Sequence, residues 1–171
     1  MILKNYWALC EAYSEASGSY SNTYYFPVKP VKTSGTEAET FSMSLSSANV
    51  IGQMMPKNGL EVLVGSGSTE PDYEDYALAQ DETANFDNYS VTQTRTMSSS
   101  GEGYDIVFLV TGNNNTGSSI TLREVGIIKK VSSSFASPDD TTIMLARFLL
   151  TDPIPVADGG AFTFAFKWSE T

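Results

Sequence analysis

The segment from Ile143 to Trp168, IMLARFLLTDPIPVADGGAFTFAFKW, constrains the fold of this chain more than any other. It reads as an apolar strand, a proline-punctuated turn and a last strand. Alternate strand residues share a face, so Phe162, Phe164, Phe166 and Trp168 line up on one side. The pattern predicts a closing hairpin in an antiparallel β domain.

Other segments extend the same reading. Leu60 to Val64 is a short apolar strand, Tyr89 to Met97 alternates, and Tyr104 to Thr111 is strongly apolar. Gly112 to Gly117 has turn chemistry, because Asn and Gly tolerate left-handed backbone. Ile120 to Lys130 is then expected to return antiparallel. Upstream, Phe41, Met43 and Leu45 alternate with serines. Pro27 and Pro30 keep Tyr24 to Lys32 extended, as an edge strand or arm. Ile2 to Ala16 sets Leu3, Tyr6, Trp7, Cys10 and Tyr13 at spacings of three and four, which predicts a helix with one apolar face. That helix either caps its own domain or packs on a neighbouring subunit. The sum is seven or eight strands at the spacing of an all-β antiparallel sandwich or jelly roll with a short N-terminal helix or arm. Residues 1–32 are expected to form the helix and extended arm, and 33–171 the β-sandwich domain.

At 171 residues the chain is long enough for one domain with a core. Its 20 Asp and Glu against 10 Lys and Arg give a formal charge of −10, which repels phosphate. Neither nucleic acid nor an anionic membrane surface is therefore an expected partner. One cysteine precludes an internal disulfide. Cys10, on the apolar helix face, reads as a small packed hydrophobe. Histidine is absent, which removes the usual general base and nucleophile partner. No enzyme activity and no cofactor are expected.

Individual motifs point the same way. Gly65-Ser66-Gly67 lacks the third glycine, the lysine and the helix of a phosphate loop, so it reads as a structural turn. Glu70, Asp72, Glu74 and Asp75 cluster in the loop that follows, but their spacing matches no calcium loop. They read as a solvated acidic face, with Tyr76 and Leu78 pinning the loop to the body. Arg123 and Glu124 fall on opposite faces of one strand, one solvated and the other paired to a neighbouring strand. Arg123 is alternatively an interface anchor, as arginine is enriched at interface centres. The aromatic density of Tyr6, Trp7 and Tyr13, with Tyr24, Tyr25 and Phe26 as a second strip, marks these as candidate interface residues.

Three segments together resemble a group of small structural proteins of tailed bacteriophages and prophages. They are Val62 to Gly67 with Glu70-Pro71 and Asp75 to Leu78, then Ile120 to Ile127, and then Leu145 to Phe148 running through Pro153 to Val156 and Gly159-Gly160 to Phe166. The Arg123 to Ile127 stretch is similar to one in tail-fibre and baseplate proteins. The resemblance covers roughly Leu60 to Trp168. It implies a virion component assembled in the bacterial cytoplasm, with capsid or tail subunits and copies of itself as partners. A capsid auxiliary or decoration protein is the expected role. A tail, neck or baseplate protein is an alternative. A further alternative is a glycan-binding sandwich using Tyr73, Tyr76 and the acidic loop.

Overall fold

The computed structural model describes residues 1–7, 23–25, 31–37, 40–42, 60–97, 104–131 and 141–169. Among them run eight strands: β1 (Thr23–Tyr25), β2 (Thr40–Ser42), β3 (Leu60–Gly65), β4 (Phe86–Met97), β5 (Tyr104–Asn114), β6 (Ile120–Val131), β7 (Thr141–Val156) and β8 (Ala161–Ser169). The chain is an all-β, sandwich-like fold. One antiparallel sheet has the order β3-β6-β7 and the other β4-β5-β8, while β1 and β2 pair with each other.

The alternation seen in the sequence becomes a single core between the two sheets. Ile106, Phe108 and Val110 of β5 and Phe162 and Trp168 of β8 face Val62, Val64, Leu122, Val125, Ile127, Ile143 and Leu145. Phe108 is fully buried and stacks on Phe166 with ring centroids 4.9 Å apart. Each such side chain contributes roughly 1.5–3 kcal/mol by leaving water.

Two expected hairpins are absent. β7 pairs with β6 and β8 with β5, so the segment from Ile143 to Trp168 crosses between sheets. β6 likewise leaves β5 for the other sheet, where it lies between β3 and β7. The reason is geometric. Two apolar strand faces cover one another only from opposite layers, whereas hairpin partners lie side by side in one layer. Pro153 and Pro155 lie within β7, near its end, and the turn is made by Ala157 to Gly160.

Buried Asn114 ties two of these crossings together. Its side-chain amide donates to the carbonyls of Ser118 (2.7 Å) and Val156 (2.9 Å), and its Oδ1 accepts from Thr116 N and Oγ1. Its backbone exchanges hydrogen bonds with Gly159 and Gly160. Gly117 turns the first corner at φ 84°, a conformation that favours glycine.

The expected helix over Ile2 to Ala16 is reduced, in the described residues, to one turn at residues 4–7. Ile2 is extended and bridges Ala146, and Leu3 N donates to the Leu145 carbonyl at 2.9 Å. The β7 edge offers these residues hydrogen-bond partners that outweigh their helical periodicity. Buried Asn5 clasps Val31 through both backbone groups, and Lys32 bridges Ile143. Residues 1–7 and 31–32 are thus bonded to the sandwich or to one another. Cys10, Tyr13 and Phe26 lie outside the described residues.

Candidate protein interface

The outer face of the β3-β6-β7 sheet is covered by the loop from Ser66 to Asp81. Leu78 packs there with Leu3, Ile128 and Met144. The loop is fastened by a buried ion network. Glu124, fully buried, accepts the backbone N–H of Gly67 (3.1 Å) and Gln80 (2.8 Å) on Oε1 and of Ala79 (3.1 Å) on Oε2. Arg147 Nε meets the same carboxylate at 2.8 Å. The Arg147 guanidinium also donates to Asp75 (2.5 Å) and to the Thr69 carbonyl (2.8 Å). Burial works against its charge, yet the bonds and charges of Asp75 and Glu124 prevail and hold the group above its ordinary pKa.

This network explains the glycines of the Gly65-Ser66-Gly67 turn. A Cβ on Gly67 would overlap the Glu124 carboxylate and come within 2.6 Å of the Ala79 Cβ. A Cβ on Gly65 would lie 2.7 Å from the Glu124 carboxylate. The glycines make room for a side chain three strands' worth of sequence away.

The acidic loop is engaged as well. Asp75 holds Arg147, Glu74 pairs with Lys4 at 2.9 Å, and Asp72 accepts the Glu74 N–H at 2.9 Å. Among the described residues no three acidic or cysteine groups converge as metal ligands. Tyr73 and Tyr76 are exposed.

The sandwich has two sides where the sheets end. On the β3-β4 side, Tyr89 donates its hydroxyl to the Val62 carbonyl at 2.7 Å and closes the gap. The β7-β8 side is different. There Phe148, Leu150 and Ile154 of β7 and Phe164 and Phe166 of β8 pack on the core while remaining half-buried. Tyr6 joins this side through Trp168, centroids 5.9 Å apart, and Trp7 stands edge-on against Tyr6 at 5.1 Å. Trp7 is 54% exposed. Among the described residues, the arrangement offers contact area with aromatic anchors.

The residues singled out in the sequence separate accordingly. Tyr6 and Trp7 come together on this side. Tyr24 and Tyr25 lie in β1, paired with Phe41 and Thr40 of β2. Arg123 is exposed in a β-bulge, where the register jumps from Leu122–Ile154 to Glu124–Leu149. The half-buried row on β7 and β8 is not legible in the sequence. Periodicity reports which face is apolar, not which strand ends a sheet.

Comparison with protein-family models, curated proteins and solved structures gives no match for this chain.

Proposed function

We propose that this protein is a structural component of a tailed-phage virion, stationed on the capsid surface as an auxiliary or decoration protein. It acts by burying surface against neighbouring subunits and turns over no substrate. The observation that supports this most is the β7-β8 side, where a row of half-buried hydrophobic side chains ends in exposed Trp7. Tryptophan at the rim of an apolar strip is the side chain best suited to anchor an interface, since it contributes large area for few frozen torsions. The resemblance of Leu60 to Trp168 to phage particle proteins supports the same reading.

The experiment is incorporation into particles. An epitope-tagged chain should co-purify with particles of the phage that encodes it, and gold label should decorate the head. Trp7→Ala should keep the fold, because Trp7 is mostly solvent-facing, and should reduce incorporation at least tenfold. Label confined to the tail would move the protein's station. Absence from particles would overturn the reading.

A further inference from the structure

We infer that β8 pairs through its open edge with β8 of a second copy, joining two β4-β5-β8 sheets into one continuous sheet across a two-fold axis at Ala165. This deepens the subunit-contact reading and rests on it for the idea that copies associate.

The argument begins with edges. A sheet edge presents a row of hydrogen-bonding groups, and β proteins guard such edges by short strands, bulges, prolines, inward charges or coverage. Among the described residues, three of the four edges of the two sandwich sheets are guarded. β3 is short and its end is covered by Asp81 and Thr83. β4 has a bulge between Asp87 and Ser90, with Asn88 at φ 51°, and carries Arg95 in register with core residue Ile106. β7 is covered by Ile2, Leu3, Lys32 and Thr33, and carries Pro153 and Pro155 beyond them. Over its nine residues, AFTFAFKWS, β8 has no proline, bulge or inward charge and a single edge lysine, Lys167, and among the described residues nothing pairs with its second edge.

The sequence of β8 is complementary to itself in one register. Antiparallel pairing about Ala165 uses the whole strand, setting Ala161 opposite Ser169 of the second copy. It sets Phe162 opposite Trp168, and Phe164 opposite Phe166. Aromatic side chains then face aromatic ones on the core side, which is a favourable cross-strand combination. The half-buried Phe164 and Phe166 lie in the middle of this row. On the outer side Lys167 meets Thr163, so the two lysines avoid each other. Charge does not oppose the contact either. In a chain of net charge −10, the one charged residue of this strand is Lys167, and Asp105 of neighbouring β5, 3.3 Å away, cancels it. A closed two-fold contact of one patch with itself is the commonest form of self-association.

Ala165 tests the register, since it is exposed on the outer face and opposite exposed Leu109, where substitution leaves the core untouched. Directly opposed residues have Cα atoms roughly 4.5–5.5 Å apart, within disulfide reach. In a C10S background, A165C should therefore cross-link to itself under mild oxidation. T163C and K167C should each fail alone, because each lies roughly 13 Å along the strand from its own copy, and should cross-link when mixed. Wild type should sediment as a dimer. A165K places like charges across the axis and should raise the dimer dissociation constant at least tenfold, as should A165E, while an equal mixture of the two should restore the dimer. Far-ultraviolet circular dichroism checks that each variant folds. A wild-type monomer at about 100 µM, cross-linking of T163C as readily as A165C, or a dimer that A165K leaves intact would each overturn the inference. These measurements need no phage particle, so a dimer absent from particles refutes the virion reading alone.

Discussion

Glu124→Ala is the sharpest test of how this structure holds its long loop. The wild-type carboxylate is fully buried and receives four donors: three backbone N–H groups of the loop and Arg147 Nε. Alanine leaves the Gly67 N–H buried without an acceptor and releases the Ala79 and Gln80 groups toward solvent. Removing one member of a buried ion pair costs about 3–5 kcal/mol. Arg147 keeps Asp75 and the Thr69 carbonyl, so its charge stays compensated, and the expected loss is about 3–4 kcal/mol. For a chain of this size that lowers Tm by about 6–16 °C. Urea unfolding followed by fluorescence, with buried Trp168 as a reporter, measures it. The pair is fully buried, so the loss should be nearly the same in 1 M salt, unlike that of a surface pair. A double-mutant cycle with Arg147→Met should give a coupling of about 2 kcal/mol. A loss below about 1 kcal/mol, or strict additivity with Arg147→Met, would refute the claim that this network fastens the loop.

The remaining predictions concern other parts of the same framework. Gly67→Ala should destabilise by about 2 kcal/mol or more, since its Cβ would displace Glu124 or Ala79; chemical denaturation reads this directly. Asn114→Ala should cost about 2–3 kcal/mol by removing the amide that donates to the Ser118 and Val156 carbonyls, leaving Val156 the long bond from Ser119 Oγ, and by loosening the two sheet crossings, seen as faster hydrogen exchange at Gly159 and Gly160. Burial raises the Tyr89 hydroxyl pKa, with Asp81 and Glu61 adding to it. A folded-state pKa above the unfolded value gives stability that is complete below about pH 10 and is lost as pH rises further. Tyr89→Phe should flatten that alkaline decline relative to wild type, and an unchanged slope would show that Tyr89 does not cause it.

What the amino-acid sequence determined was the class and the strands. Period-two patterning with Pro, Gly and Asn punctuation is local chemistry, and it placed β3 to β6, β8 and the start of β7 to within a few residues, while β7 runs on through the prolines read as a turn. It also marked Tyr76 and Leu78 as returning the acidic loop to the body, of which Leu78 packs there while Tyr76 is exposed, and it told solvated Arg123 from paired Glu124, although the bulge between core residues Leu122 and Val125 breaks the simple alternation of faces. Tertiary structure decided the rest, because each remaining question depends on residues distant in the chain. Leu3 begins a stripe of helical spacing, but the β7 edge takes it in a backbone hydrogen bond and its neighbour Ile2 in a bridge. Ile143 to Trp168 has the pattern of a hairpin, but the two apolar faces reach each other only across layers. Arg147 and Asp75 look like ordinary surface charges until the fold brings them 2.5 Å apart over Glu124. That nothing among the described residues pairs with the second edge of β8 likewise has no local signature, since a strand becomes an edge only when every other strand has taken its place.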